Sequence, residues 1–439
     1  MSQSSDVLGV AIAGLGTVGV GVIRILENQA DTMMMRAGMS LKVRAVSARD
    51  RSRDRGVDLS GYDWVDDTAS LAARGDVDVV IELVGGSDGT ALALARNTLK
   101  AGKAFITANK ALIAVHGREL AALAEENGSF LAFEAAVAGG IPILKAIREG
   151  LSANKISNLR GILNGTCNYI LTRMENEGLD FAEVLADAQK LGYAEADPTF
   201  DVDGIDTAHK TAILAALAFG VAPDFDAIEC DGIRSIASVD IDYAGTLGYT
   251  IKLLGSVRQT EKGIEQHVHP AMVPLKSALA AVGGATNAVQ VYGDAVGETV
   301  YIGAGAGELP TASAVVADLI DYACTKESGT FRPPFGVPAS RLGHLSPVSG
   351  ADHVGSYYIR FRVSDEVGTM SEITTALRDE GVSIESLIQL GAADDGGVYM
   401  VLTTHPIQGS AIDKAIDSLL VDDQVNILDR PVVLRIAKL

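Results

Sequence analysis

The residues most able to do chemistry crowd into one stretch, Gly192 to Lys210, reading GYAEADPTFDVDGIDTAHK. Glu195, Asp197, Asp201, Asp203 and Asp206 precede a single lysine, Lys210. Most of the acids fall in a Gly-, Pro- and Asp-rich segment that reads as a loop, and loops held by a rigid scaffold commonly carry chemistry. Asp206 and Lys210 differ in kind. They lie four positions apart at the start of an apolar helical run, KTAILAALAFG, and residues i and i+4 share a helix face. The residues alone allow two readings. One is an exposed and weak ion pair beside a solvated acidic loop; the other is an acid–lysine pair set up for catalysis.

Three further groups stand out. Lys110, in TANKALIA (107–114), falls just past the end of a short apolar strand pattern, where an ammonium could face a ligand or simply open a surface helix. Glu134 sits in the apolar run GSFLAFEA (128–135), where an unpaired carboxylate would be costly. Backbone carbonyls of the following AVAGGIP turn would make with it an oxygen-lined cation site, and N–H groups of that turn would satisfy it equally well. Asn164-Gly165-Thr166 could cap the helical pattern running through Met174 or present polar groups to a small ligand.

The elements that must position these groups begin with a nucleotide fold. Val7 to Ala13 is an apolar run of strand length that feeds into GLGTVG (14–19) and then a helical pattern through Leu26. This is GxGxxG between a strand and a helix, the context that dinucleotide binding requires. Gly14 allows the tight turn, Gly16 the backbone approach to a pyrophosphate, and Gly19 close packing of helix on strand. The helix start at Thr17 and Val18 offers N–H groups to the phosphates. The next strand, Leu41 to Ser47, runs into Ala48, Arg49, Asp50, Arg51, Ser52 and Arg53. An acid at this strand end favours NAD, whereas the arginines could take a 2′-phosphate and favour NADP; a solvated basic loop is the plain alternative. Val77 to Val84 and Lys103 to Ile106 continue the alternation of strand and helix, which implies a parallel, doubly wound sheet. The helix Phe181 to Leu191 ends at Gly192 as a C′ glycine and delivers the chain into the acidic segment. GAGAGELPT (303–311) opens a later helix that could return the chain to the nucleotide domain.

Composition bounds the rest. At 439 residues, two or three domains are expected. Hydrophobic residues make up 48% and charged ones 21%, which is globular, and a net charge of −20 argues against nucleic acid or an anionic membrane as main partner. Cys167, Cys230 and Cys324 are far apart with no metal-ligand spacing, so neither a disulfide framework nor zinc is expected, and a reducing, cytoplasmic setting is the default. Ser277 to Gly293 carries no charge but is broken by glycines and polar residues, so it reads as buried structure rather than a membrane span.

Taken together the motifs resemble the homoserine dehydrogenase family: GLGTVG (14–19), TANKALIA (107–114), EAAVAGGIPI (134–143), GILNGTCNYILTRM (161–174), the acidic segment and GAGAGELPTASAV (303–315), in the expected order. The resemblance implies reversible NAD(P)-dependent interconversion of L-homoserine and L-aspartate 4-semialdehyde, in threonine, methionine and isoleucine biosynthesis. It implies Lys210 as acid/base and Lys110 as a second active-site lysine beside nicotinamide and substrate. Glu195 and Asp206 match positions that hold homoserine, and Gly192 lies where substrate and cofactor meet. Glu134, with carbonyls of Val137, Gly139 and Ile141, matches a structural monovalent-cation site such as one for Na+, and Gly307 a late cofactor contact. Asp197, Asp201 and Asp203 gain no role and read as solvated. A homodimer or homotetramer is implied. A semialdehyde dehydrogenase would instead need a thiolate, for which Cys167 is the only cysteine in a motif. A non-catalytic amino-acid sensor would leave the glycines, both lysines and Glu195 unused. The length leaves no room for a kinase segment ahead of the nucleotide domain.

The tail is a separate module. FRPPFGVPASRLGH (331–344) reads as a linker, and strand, turn, helix and strand patterns follow from Ser356. This part resembles an ACT domain, but Asp365, Glu366, Val367 and Gly368 lack the proline usual at the strand-to-helix turn. Threonine feedback and a purely dimer-forming appendage both remain open. The expected organisation is α/β: a Rossmann-type nucleotide domain over 1–135, completed by a return near 305–330; an α+β catalytic and dimerisation domain over 136–304; a linker over 331–355; and a small α+β ACT-like domain over 356–439.

Overall fold

β1 (Val7–Ala13) is apolar on both faces, as a strand covered on both sides must be. The computed structural model, which describes residues 7–192, 194–392, 397–421 and 426–438, places it inside a parallel sheet. On one side lie β2 (Ser40–Ser47) and β3 (Asp63–Trp64); on the other lie β4 (Val79–Glu82), β5 (Ala104–Thr107) and β6 (Leu131–Ala132). The order β3-β2-β1-β4-β5-β6 is that of a doubly wound dinucleotide fold. Helices α1 (Thr17–Asn28), α2 (Ala30–Ala37), α3 (Thr90–Lys100) and α4 (Lys110–Glu126) supply the crossovers. The strand expected over 128–135 is cut to β6, because Phe133 leaves extended geometry and Glu134–Ala136 forms a 3₁₀ turn.

A short α5 (Ile143–Lys145) widens into a π-type turn over Ala146–Gly150, and β7 (Ile156–Ile162) follows. Then come α6 (Gly165–Glu177), α7 (Phe181–Lys190), α8 (Thr199–Val202) and α9 (Ile205–Phe219). β8 (Glu229–Cys230) and α10 (Ser238–Thr246) precede a long antiparallel hairpin, β9 (Tyr249–Thr260) and β10 (Gly263–Pro274). The uncharged stretch ends in β11 (Thr286–Gly293), which neighbours β12 (Gly297–Ala304). Among the described residues no helix is long and apolar enough to cross a membrane. α11 (Glu308–Thr325) then packs along α1: a Cβ on Gly21 would lie 2.8 Å from the Glu308 carbonyl, and Arg24 bonds Glu308 at 2.6 Å.

The tail forms β13 (Val354–Ser364), α12 (Thr369–Asp379), β14 (Ile384–Ala392), β15 (Gly397–Thr404), β16 (Ile407–Gln408), α13 (Gly409–Val421) and β17 (Ile427–Ile436). Its main strands run β17-β13-β15-β14, the split βαβ arrangement, around a core of Ile359, Phe361, Ile373, Leu402 and Ile416. Each such side chain contributes roughly 1.5–3 kcal/mol by leaving water. The module does not end at its own edge. β17 also pairs in parallel with β10 through Ala271–Arg435 and Met272–Ile436, so β9 and β10 extend its sheet.

The chain forms two compact units. One holds residues up to Leu159, His209–Ala227 and Asn287–Leu345; the other holds Arg160–Ala208, Ile228–Thr286 and the chain from Ser346. The first therefore takes back the chain from residue 287, earlier than the expected return near 305. It also absorbs much of the expected linker: Phe335 is buried, its ring 5.2 Å from that of Phe133.

Candidate active site

In the first unit the glycine motif acts through close approach. Gly14 has φ +101°, and a Cβ there would sit 2.5 Å from the Leu83 carbonyl at the end of β4. A Cβ on Gly19 would sit 2.1 Å from the Gly14 carbonyl, so α1 can lie this close to the turn only with glycine. Over Gly16 the space is open. Gly16 is the N-cap of α1 and supplies no side-chain acceptor, so the first N–H groups, near Thr17 and Val18, point to where an anion would lie. Gly307, at φ +129°, starts α11 in the same unit.

The loop after β2 is shaped by an arginine the sequence reading passed over. Arg55 donates to the carbonyls of Leu15, Arg53 and Asp50, and Arg51 and Arg55 both lie over the Trp64 ring. The Asp50 carboxylate turns onto the Ser52 amide and hydroxyl at 2.8 and 2.7 Å, and these bonds hold it below the ordinary carboxylate range. Arg49 remains exposed at the strand end.

At the carboxyl ends of β4 and β5 a buried network sets the start of α4. Glu82 is fully buried. It accepts from the Val84 and Gly85 amides at 2.6 and 3.0 Å and from the Thr107 hydroxyl at 2.7 Å. Thr107 accepts from the Asn109 amide, and Asn109 caps α4 at Leu112 while donating to the Gly86 carbonyl. Lys110 is the first residue of that helix, half-buried, at the sheet edge where parallel α/β folds bind ligands. Glu82 carries no sequence motif; the one signal for it is an acidic residue at the end of an apolar strand.

Glu134 is 2% exposed, and its two oxygens accept from the Leu144 and Lys145 amides, each at 2.9 Å. These amides belong to α5, past the glycine-rich turn whose N–H groups the sequence offered for the same purpose. Burial first, and then the Asp318 carboxylate, push Glu134 up to about 7. Asp318 in turn accepts from the Glu134 amide at 2.9 Å and from Lys145 at 3.1 Å. The turn through Val137, Gly139 and Ile141 contains Ala138 at φ +51°, the one non-glycine residue with positive φ among those described. Such strain persists where surrounding structure enforces it, often at ligand sites.

The acidic segment lies mostly in the second unit. Gly192, at φ +78°, closes α7 as expected, and the Glu195 side chain is exposed. Asp206 is only 5% exposed. Asn164 settles its geometry: its amide donates to Asp206 at 2.9 Å and to Asp201 at 2.8 Å, while its oxygen caps α6 at the Cys167 amide, 2.8 Å away. Asp201 is thus part of the network rather than a solvated charge. Asp203 pairs with Arg234, and Asp197 caps the Thr199 amide. Cys167 is buried, its thiol donating to the Asp201 carbonyl at 3.2 Å, which ill suits a nucleophile. Lys210 lies one turn beyond Asp206 on α9 and is 9% exposed. A buried acid and a buried lysine on consecutive turns are unlike a solvated ion pair.

Residues 14–134 match the family described as the NAD-binding domain of homoserine dehydrogenase, 142–320 the homoserine dehydrogenase domain, and 357–421 the ACT domain. A homoserine dehydrogenase of Pseudomonas aeruginosa is 47% identical over 93% of this chain and 94% of its own length. The crystal structure of one from Thiobacillus denitrificans superposes with a TM-score of 0.93 at 40% identity, covering 99% of both chains. A hyperthermophilic archaeal homoserine dehydrogenase in complex with NADPH gives a TM-score of 0.63 at 25% identity, covering 73% of this chain and 98% of its own.

Proposed function

The chain belongs to the homoserine dehydrogenase family, and from that premise we propose how its residues divide the work. The activity is the NAD(P)-dependent interconversion of L-homoserine and L-aspartate 4-semialdehyde. When bound, the nicotinamide carries the hydride. Lys210 takes the hydroxyl proton of homoserine and, in the reverse direction, gives a proton to the forming alkoxide. A buried lysine is suited to act as a base, and the burial of Asp206 and Lys210 on consecutive turns of α9 is the observation that carries the assignment. Asp206 and Glu195 hold the substrate ammonium. Lys110 receives the substrate carboxylate, since the Asn164 amide is already committed to Asp201 and Asp206. Asn164 is therefore a positioning residue. Gly192 brings backbone to the substrate, and Gly307 backbone to the cofactor.

The cofactor preference is for NADP. Asp50 is turned into its own loop and Arg49 is exposed at the end of β2, a pairing that suits a 2′-phosphate better than a bare ribose. Glu134, with carbonyls of Val137, Gly139 and Ile141, holds a monovalent cation such as Na+ in a structural role. A buried acid near neutrality beside a strained turn supports that reading. Threonine acts as effector through the C-terminal module, and the protein works in the cytoplasm as a homodimer or homotetramer. A semialdehyde dehydrogenase mechanism is disfavoured by the buried Cys167.

The test is oxidation of NADPH and of NADH by the full chain with L-aspartate 4-semialdehyde, each with and without threonine. NADPH is expected to give at least tenfold higher kcat/KM. Equal values would remove the role of Arg49, and a rate unchanged by millimolar threonine would remove the effector.

A further inference from the structure

Within the second unit, one face of β10 carries two groups that the catalytic reading does not use. Glu265 and His267 lie two positions apart on this strand, so their side chains project to the same side. Both are buried, at 5% and 4% exposure. A third group comes from far along the chain. The segment ahead of β13 runs beside the start of β10, where the Ile264 amide donates to the Ser346 carbonyl at 3.0 Å and the Ile264 carbonyl accepts from the Val348 amide at 2.9 Å. It then turns through Gly350–Asp352 and sets His353 against Glu265. The backbone of His353 is pinned. Its amide donates to the Gly350 carbonyl at 3.1 Å, and its carbonyl accepts from the Gly409 amide at 2.9 Å and the Tyr357 hydroxyl at 3.1 Å. Gly355 leaves room for the ring, since a Cβ there would sit 2.7 Å from His353 Nε2.

These three side chains each offer one ligand atom, and the atoms lie within 4.8 Å of one another. His353 Nδ1 and Glu265 Oε2 are 3.2 Å apart. Two ligands about 2.0–2.1 Å from a tetrahedral zinc ion stand roughly 3.3–3.5 Å apart, so this pair already has the spacing that an ion between them requires. His267 is the unsatisfied member. Neither of its ring nitrogens has a hydrogen-bond partner among the described residues, although a neutral imidazole carries one N–H and one lone pair. Leaving both unmatched inside the protein is costly. Burial, and then the Arg435 charge, push His267 down to about 3, which keeps the ring in the neutral form that ligates metal. Arg258 holds the carboxylate, Nη2 to Glu265 Oε1 at 2.8 Å and Nε to Oε2 at 3.1 Å, and orients it as outer contacts do around a metal. Arg435 opposes a cation here, but a carboxylate offsets it. A Cβ built on Gly350 would sit 2.6 Å from Arg435 Nη2 and 2.1 Å from Glu229 Oε2, and that same oxygen lies 3.8 Å from His267 Nδ1.

We propose that Glu265, His267 and His353 form a binding site for a divalent transition-metal ion of the zinc type, with water completing its coordination. Two imidazoles and a carboxylate suit zinc, whereas magnesium and calcium take oxygen ligands. No spacing in the sequence marks the site, because His353 stands 88 residues beyond Glu265. The ion joins β10 to the turn that opens the C-terminal module. It stabilises that contact by binding the folded chain and not the unfolded one. It is distinct from the monovalent-cation site at Glu134, whose donors are all oxygens.

The test starts from the full chain stripped of metal by a chelator and titrated calorimetrically with zinc chloride and, separately, magnesium chloride. One zinc per chain is expected, bound at least a hundredfold tighter than magnesium. Cobalt in its place should show the visible absorption bands of a four-coordinate ion. His353→Ala and His267→Leu should each weaken zinc binding at least about tenfold, whereas His405→Ala, at an exposed histidine of the same module, should leave it unchanged. Zinc should also raise the thermal unfolding midpoint of the wild type but not of His353→Ala. The anchors of His353 are backbone groups, so this variant carries the test even if His267→Leu fails to fold. No zinc bound by the wild type, magnesium bound as tightly, or equal zinc binding by the wild type and His353→Ala would overturn the proposal. None of these readouts depends on turnover, so the assignment of Lys210 stands or falls separately.

Discussion

Replacing Arg360 by methionine strands a carboxylate in the interior of the second unit. Asp240, at the start of α10, is 0% exposed and receives Arg360 Nε at 2.6 Å, Arg360 Nη2 at 3.1 Å and the Tyr358 hydroxyl at 2.9 Å. Its second oxygen also accepts from the Ala237 amide at 3.0 Å. Methionine keeps most of the aliphatic stem and removes the charge, its two hydrogen bonds to Asp240 and its place over the Tyr399 ring. Breaking one side of a buried ion pair costs about 3–5 kcal/mol, because the remaining charge stays desolvated. Replacing both partners, as Asp240→Leu with Arg360→Met, removes that charge and strands one fully buried donor, the Tyr358 hydroxyl, at about 1–3 kcal/mol, while the half-buried Ala237 amide can turn to water. The double variant should therefore be more stable than Arg360→Met alone. The assay is urea unfolding followed by circular dichroism, run as a double-mutant cycle. The difference should persist in 0.5 M salt, since burial shields the pair from screening. A loss below about 1 kcal/mol for Arg360→Met, or strict additivity in the cycle, would refute the reasoning.

Lys210→Ala should lower kcat at least a hundredfold in both directions while the protein still binds NADPH, as loss of a general acid/base group requires; normal turnover would end its assignment. Glu134 makes a pH prediction with a definite sign. Its folded value of about 7 lies above its ordinary 4.5, so the native state holds this proton more tightly than the unfolded chain does. Its destabilising effect is absent below about pH 4.5, grows as pH rises, and is complete above about pH 7. The upper bound is about 3 kcal/mol for a shift of this size. Thermal unfolding between pH 5 and 8 should thus fall more steeply in the wild type than in Glu134→Gln. Sodium, unlike a bulky organic cation, should recover part of the loss at pH 8. Parallel curves for the two proteins would exclude this origin, and indifference to sodium would exclude the cation.

What the sequence made legible were the local devices. Gly14 and Gly19 declare their roles by spacing, since a turn and a helix–strand contact require glycine wherever the rest of the chain lies. Gly192 closing α7 and Asn164 capping α6 are equally local. The missed features depend on partners far away in the chain. Glu82 acts through Thr107, Asp201 through Asn164, and Glu134 beside Asp318, which lies 184 residues on. No periodicity encodes such meetings. The composition over 331–345 misled for a related reason. Proline and glycine mark irregular backbone, but Phe335 shows that irregular backbone can still be packed. In the tail, α13 went unread because its apolar positions are spaced among small and acidic residues, and its role emerges only against α12 and β17.

The placement of β17 has a consequence for how the protein is made. Its ten residues, Ile427–Ile436, lie between β10 and β13, although they follow every other described strand of that sheet in sequence. Throughout translation of the tail, β10 and β13 each carry an edge whose neighbour does not yet exist. Such edges recruit other chains, and nascent polypeptides waiting on distant partners are exposed to aggregation. β10 carries Pro270 and Pro274, which remove donors from that waiting edge. The strand thus works as a clasp that closes only once the rest of its sheet has been made. A chain that stopped before Ile427 would leave this sheet open between β10 and β13, recognisable to quality control before any question of catalysis arises.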